Sequence, residues 1–284
     1  MSPPPSAIDS VQDVLDALDE VVDRSIAQRD RVGYFAAVYR QVTAKVAEGI
    51  ATGFFDDSER MARLDVVFAS RYLAALEQAR AGERPTRSWE LAFEAGASPR
   101  PLVVQHLLAG MNAHINLDLG IAAAATAPGT ALPGLRRDFD RINEILAQLV
   151  AGIEDDVAEV SPWIGLLGTI GGRHDDEIVR FSIEVARTEA WRFAVELAPL
   201  DPHDWAGAIS ARDARVARVS RRILHPGLLS AGLAVIRARE SNDVPRVIRV
   251  LTGVHVAGLA EVEQRVQTAR SEPRRRWRRG NGDP

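Results

Sequence analysis

Cysteine is absent from this chain of 284 residues. Its absence excludes disulfide bonds, thiolate zinc sites and cysteine nucleophiles. Lysine is almost absent, since Lys45 is the only one and arginine carries nearly all of the positive charge. The 35 basic residues are outnumbered by 39 acidic residues, and the net charge of −4 gives no field that would attract nucleic acid or an anionic membrane. We therefore expect no nucleic-acid partner.

Long apolar runs are also missing. No stretch approaches the roughly 20 apolar residues that a membrane-spanning helix needs. The segment from Met1 to Pro5 lacks the basic start and apolar stretch of a signal peptide. We therefore expect a cytoplasmic protein without a membrane span. The chain also contains no glycine-rich phosphate loop, no Gly-x-Ser-x-Gly and no His-Glu-x-x-His, so the common catalytic signatures give no assignment.

Apolar residues recur at a spacing near 3.6 residues along almost the whole chain, which predicts helices. With 46% hydrophobic residues the chain can bury a substantial core. We predict an all-α, bundle-like domain over 9–271, with a possible subdomain break near 158–173. A flexible N-terminus (1–8) and a disordered basic tail (272–284) would flank it. The predicted helices include those over about 10–28, 30–50, 58–79, 101–125, 135–157, 176–197 and 243–270.

The helix over 101–125 has apolar side chains on nearly every side, which indicates a central helix that is buried all round. Six polar residues interrupt this apolar surface. At about 100° per residue they fall into two clusters, one of His106, His114 and Asp118 and the other of Gln105, Asn112 and Asn116. Burial costs on the order of 1–3 kcal/mol for each such group left unpaired. They must therefore bond one another, other helices, water, a metal or a ligand.

The helix over 58–79 carries a similar anomaly. Asp65 projects into the middle of its apolar stripe, between Phe68 and Met61. A buried carboxylate needs a partner, or its pKa must rise. Since the arginines of this helix lie on another side, we expect the partner to be His106 or His114, and the two helices to be in contact.

Three uses of these polar residues remain open. His114 and Asp118 are one turn apart and can reach one metal ion, joined by His106, and this donor set suits zinc, manganese or iron. Without a metal, His106, His114 and Asp65 could do acid–base work. The third use is a structural hydrogen-bond network.

The leading functional hypothesis is a small-molecule enzyme of hydrolytic or cyclising type. In it, Gln105, Asn112, Asn116 and Tyr72 would contact the substrate. The alternative is a non-catalytic protein that binds a small molecule and whose polar cluster is structural.

A further polar stripe follows the helix that ends near Leu197. Arg180, Glu184, Arg187 and Trp191 align along one of its faces. This spacing favours a solvated row of ion pairs over an anion site.

Two stretches, Phe55 to Leu73 and Gln105 to Ala122, resemble a bacterial family known only as a domain of unknown function. The second has the motif Gln-His-Leu-Leu-x-Gly-Met-Asn-Ala-His-Ile-Asn-Leu-Asp-Leu-Gly-Ile-Ala. The resemblance covers about residues 35–195 and implies a family rather than an activity. The segment from His114 to Asp118 is also similar to the His-x-x-x-Asp helix of zinc-dependent phospholipase C and single-strand nucleases. The further histidine and the His-x-x-x-Glu of that group are absent here.

Overall fold

A computed structural model describes residues 8–164, 182–227 and 230–253. In these ranges all regular secondary structure is helical, which confirms the predicted all-α class. The helices are α1 (Val11–Gln28), α2 (Val32–Ala51), α3 (Ser58–Arg80), α4 (Arg87–Gly96), α5 (Val103–Ala113), a π-helical segment (His114–Asp118), α6 (Leu119–Thr126), α7 (Leu132–Val160), α8 (Ile183–Leu197), α9 (Trp205–Leu224), α10 (Ser230–Arg237) and α11 (Val244–Leu251).

The predicted domain limits are only partly covered by these ranges. Three predicted parts lie wholly or mostly outside the described residues: segment 1–7 of the N-terminus, most of the possible break near 158–173, and the tail over 272–284. Within the described ranges, no helix has the length and apolar character that crossing a membrane would require.

Local signals explain where several of the helices begin. Ser10 forms a capping box with Asp13 at the start of α1, and Asp57 accepts a hydrogen bond from the backbone N–H of Arg60 at the start of α3. Side chains that accept from the first turn satisfy N–H groups that have no partner within the helix.

Two predicted helix boundaries are wrong. The helix α8 begins at Ile183 rather than near 176, because Ser182 has extended backbone angles and caps it through the N–H of Val185. The helix α11 ends at Leu251, and the part of the predicted helix from 254 to 270 lies outside the described residues. Gly253, with φ of +70°, has a left-handed conformation that does not continue a helix.

The continuous run α5–π–α6 forms the centre of the fold, as the apolar pattern predicts. It packs against α2, α3, α4, α8 and α9. Its interior turn is not α-helical, because the N–H of Leu119 bonds to the carbonyl of His114, five residues earlier. Such π segments are rare and are frequent at functional sites. The wider turn changes the directions of side chains relative to an ideal α-helix. The carboxylate of Asp118 binds Arg71 and Trp89, whereas the ring of His114 stacks on Phe68.

Two glycines allow neighbouring helices to approach this run closely. A Cβ at Gly110 would lie 2.7 Å from the ring of Phe35 on α2, and a Cβ at Gly120 would lie 2.7 Å from the carbonyl oxygen of Ala190 on α8. Real Cβ atoms do not come so close to other atoms, so a larger residue at either position would push its neighbour away. Gly110 thereby places Phe35 beside the centre of the candidate site.

Candidate functional site

A cavity of about 100 Å³ lies between α2, α3, the central run, α7 and α8. We call it the main cavity. Its walls are mostly apolar, and they include Val38, Val46, Leu64, Phe68, Met111 and Phe139. An apolar protein cavity of about 150 Å³ is known to hold benzene. The main cavity, although smaller, therefore suits a compact organic molecule of about six non-hydrogen atoms, or one end of a longer molecule.

His114, the first residue of the π segment, faces the main cavity from the central run. Its ring stacks on Phe68 at 3.6 Å between centroids and lies 4.4 Å from the ring of Tyr39. Neither ring nitrogen has a hydrogen-bond partner among the described residues. Burial, with a further contribution from the charge of Arg71, lowers the pKa of His114 well below its usual value. The imidazole is therefore neutral, and one nitrogen can donate while the other accepts.

Asp65 faces the same cavity from α3. Its side chain is buried, and its Oδ2 atom has no hydrogen-bond partner among the described residues. Burial raises the pKa of Asp65 to about 7. A carboxyl group with such a pKa can both donate and accept a proton near neutral pH. The predicted contact between the helices that carry Asp65 and His114 is confirmed, since Phe68 of α3 stacks on the imidazole. The prediction that His106 or His114 is the hydrogen-bond partner of Asp65 is wrong, because both nitrogens of His114 and Nε2 of His106 are unpaired among the described residues.

Three further polar side chains line the main cavity. Tyr39 and Thr43 come from α2, and Arg187 comes from α8. Burial raises the pKa of Tyr39 well above its usual value, and the neighbouring charge of Asp65 adds to this shift. The phenol of Tyr39 therefore stays protonated and can serve as a hydrogen-bond donor beside Asp65.

Arg187 is buried, contrary to the prediction of a solvated row of ion pairs. Its side chain is only 5% exposed, because α8 packs this face against α7. Glu184 of the predicted row is exposed, and Arg180 lies outside the described residues. The helical spacing of the row was correct for the described members, but spacing alone does not say which face of a helix is covered.

His106 lies at a second, smaller cavity of about 20 Å³, together with Tyr72, Trp89 and Phe35. Phe35 borders both cavities. The Nε2 atom of His106 and the hydroxyl of Tyr72 have no hydrogen-bond partner among the described residues. Burial lowers the pKa of His106 to about 3. This volume suits a single water molecule, so His106 and Tyr72 belong to a separate polar pocket rather than to the main cavity.

Asp118 does not face the main cavity. Its Oδ1 atom accepts a hydrogen bond of 2.7 Å from Nε of Arg71, and its Oδ2 atom accepts one of 2.7 Å from the indole N–H of Trp89. The residue is 1% exposed. Both carboxylate oxygens are therefore bound to protein groups. Since Arg71 lies on α3 and Trp89 on α4, Asp118 joins the π segment to these two helices.

The amide cluster of the central run also binds protein groups. Gln105 accepts from the backbone N–H of Leu102 at 2.8 Å and donates to the carbonyl of Ile223 at 2.6 Å. Asn112 donates to the carbonyl of Val216, and Asn116 donates to Asn112. These contacts hold α9 against the central run. None of the three amides lines the main cavity, so their predicted contact with a substrate gains no support.

The predicted metal ligands are not gathered at one point. In the described part of the chain, no three histidine, aspartate or glutamate side chains lie close enough together to hold a metal ion. Asp118 binds Arg71 and Trp89, while His106 and His114 face different cavities. These residues therefore do not form the predicted set of three metal ligands. Among the predicted site residues, Asp65 and His114 are the two that line the main cavity.

Sequence reasoning missed Tyr39, Phe68 and Arg187 as lining residues. Of these three, only Arg187 could have been recognised as buried from the sequence, because its charge interrupts the apolar face that Ala186, Ala190 and Ala194 form on α8.

A family model described as "Family of unknown function (DUF5995)" matches residues 11–226. This match confirms the resemblance to a family of unknown function. Comparisons with curated proteins and with solved structures gave no match.

Proposed function

Because the chain belongs to the family DUF5995, which is described only as of unknown function, we propose a function from the site itself: an enzyme that transfers protons to or from a small, mainly apolar molecule in the main cavity. One observation carries the proposal. Two buried titratable side chains, Asp65 and His114, face one apolar cavity, and neither has its hydrogen-bonding capacity satisfied by the described residues. Buried polar groups in native proteins are almost always paired, so a ligand with a polar group is the natural partner.

Asp65 and His114 have complementary roles in this proposal. With a pKa of about 7, Asp65 exchanges a proton with the ligand. The neutral His114 donates a hydrogen bond to the ligand's oxygen and holds it in place, since its stacking on Phe68 fixes the ring. The protonated hydroxyl of Tyr39 offers a second donor. The apolar walls exclude water, which strengthens each of these interactions.

The alternative is a protein that binds the same class of molecule without turning it over. The mostly apolar lining of the cavity is compatible with this class too. The two alternatives separate in one experiment, because binding and proton exchange can be observed on the same sample.

Methionine provides a specific reporter. The chain contains three methionines, and Met61 and Met111 both line the main cavity. We would label the methionine methyl groups with ¹³C, add cyclopentanone in D₂O, and follow the methyl signals and the loss of the ketone's α-protons by NMR. The enzyme hypothesis expects shifted methionine signals and α-proton exchange above the buffer rate. Substituting Asp65→Asn or His114→Gln should reduce this exchange by about 100-fold, the scale of acid–base catalysis.

The matched control is His106→Gln, which changes a histidine of the same helix that faces the smaller cavity. This variant should keep the exchange rate of the wild type. Shifted methionine signals without any exchange would favour the non-catalytic binder. Methionine signals that do not move would show that the main cavity takes no such ligand and would overturn both alternatives.

A further inference from the structure

Arg187 stands out among the residues of the main cavity because it is a buried cation without a carboxylate partner among the described residues. Its Nε donates to the side-chain oxygen of Asn143 at 2.7 Å, and its Nη2 donates to the carbonyl oxygen of Phe139. Its guanidinium carbon lies 4.4 Å from the centroid of the Phe139 ring. All of these partners are neutral.

The hydrogen-bonding capacity of Arg187 is therefore only partly used. A guanidinium group has five N–H donors, and the contacts with Asn143 and Phe139 occupy two of them. The carboxylate that acts on it from nearby is Asp140, which itself binds Arg136 through a 2.7 Å contact. Burial lowers the pKa of Arg187 to about 10, which still leaves it charged at neutral pH. A buried charge without a counter-ion is costly.

Asp65 does not supply this counter-ion. The hydrogen bonds of Arg187 go to Asn143 and Phe139 rather than to Asp65, and burial is the cause of the raised pKa of Asp65. Both nevertheless line the main cavity. A molecule in this cavity could thus place one end at Arg187 and the other at Asp65 and His114.

We propose that the ligand of the main cavity is a small, mainly apolar carboxylic acid whose carboxylate binds Arg187 and whose carbon skeleton carries a further oxygen toward Asp65 and His114. This inference rests on the proposed function and adds the class of the substrate. The planar guanidinium fork fits a carboxylate with two parallel hydrogen bonds. A phosphate dianion would need more donors than these mainly apolar walls offer. Because burial raises the pKa of Asp65 to about 7, part of it is protonated at neutral pH, and this uncharged form does not repel a ligand with one negative charge.

The test compares isobutyrate with 3-methyl-2-butanone, a neutral ketone of nearly the same shape. Both are titrated into the wild-type protein at constant ionic strength, and the methyl signals of Met61 and Met111 report binding in the cavity. Isobutyrate should bind at least about tenfold more tightly than the ketone, which corresponds to one charge-assisted contact. This comparison needs no substitution and therefore does not depend on whether a variant folds.

Substitutions then assign the preference to one residue. Arg187→Met should reduce the affinity for isobutyrate to that for the ketone, and Arg187→Lys should restore part of it. The matched control is Arg239→Met, because Arg239 also lies over an aromatic ring, that of Trp163, but neither lines the main cavity nor acts on the charge of Arg187. This control should bind isobutyrate as the wild type does.

The possible failures can be told apart. Equal affinities of the wild type for acid and ketone, or an Arg187→Met variant that binds isobutyrate as tightly as the wild type, would overturn the carboxylate assignment and leave the proposed function standing. If neither compound shifts the methionine signals, both the assignment and the proposed function are overturned.

Discussion

Asp65 makes the stability of the protein depend on pH in a direction that can be calculated. Its carboxyl group has an ordinary pKa of 3.8, and burial raises this pKa to about 7. The folded state therefore holds the proton more tightly than the unfolded state does. The contribution of the protonated group is fully present below pH 3.8, falls as the pH rises, and is lost above about pH 7. At about 1.36 kcal/mol per pKa unit, the total loss is about 4 kcal/mol.

The substitution Asp65→Asn isolates this effect, because the asparagine has nearly the same shape and does not titrate. At pH 5 the wild type has lost only a part of the stabilisation that protonated Asp65 contributes, whereas at pH 8 it has lost all of that contribution. The difference in free energy of unfolding between variant and wild type should thus shift by about 3 kcal/mol in favour of the variant from pH 5 to pH 8. Any change in stability that the amide itself causes is the same at both values and cancels.

Urea unfolding followed by circular dichroism at the two pH values measures this shift. Asp13→Asn is the control: a hydrogen bond from the hydroxyl of Ser10 lowers the pKa of Asp13 below 3.8, so both of its pKa values lie under pH 5 and its difference from the wild type should stay constant. If the Asp65→Asn difference also stays constant within about 0.5 kcal/mol, Asp65 ionises normally when folded. The reasoning from burial would then be refuted, and with it the proton-transfer role.

Three other predictions concern the surroundings of the site. Burial holds the pKa values of His106 and His114 below the normal range, so their imidazole ¹⁵N signals should not titrate between pH 5 and 8; a midpoint near 6.5 for either would contradict their burial. Gly110→Ala should destabilise the protein by about 1–3 kcal/mol in urea unfolding, because its Cβ would meet a phenylalanine ring. Gly152→Ala, which meets nothing within 4 Å, should instead be neutral or up to about 1 kcal/mol more stable, and equal effects of the two would argue against the close approach. Asp118→Ala should cost about 3 kcal/mol, because it leaves a buried indole N–H and an arginine unpaired; a loss under about 1 kcal/mol would refute that role.

Part of the candidate site could be found in the sequence. Asp65 interrupts the apolar stripe of α3, and His114 interrupts the apolar surface of the central run. A polar residue at a buried position of a helix is visible from spacing alone, so both could be identified as buried before any partner was known. Arg187 has the same kind of signal, but the charged residues Arg180 and Glu184 on the same helical face favour a solvated row of ion pairs instead.

The grouping of the polar residues could not be found in this way. A projection at 100° per residue placed His106, His114 and Asp118 together, but the π segment begins at His114 and changes the directions of the residues after it. Phe35, which approaches the central run through the space left by Gly110, borders both the cavity of His106 and that of His114. Neither the π segment nor the close approach of Phe35 can be predicted from the spacing of apolar residues in a single segment.

The all-helical fold, the burial of the central run and the need of its polar residues for partners can all be read from the order of residues along the chain. These properties follow from the spacing of apolar residues along one helix axis, which is a local property of the chain. Which partners these residues have depends on the packing of the helices. Asp118 binds Arg71 and Trp89, whereas Asp65, His114 and Arg187 line one cavity. A partner comes from a segment distant in the sequence, and the packing of distant segments depends on the shapes of all the helices together.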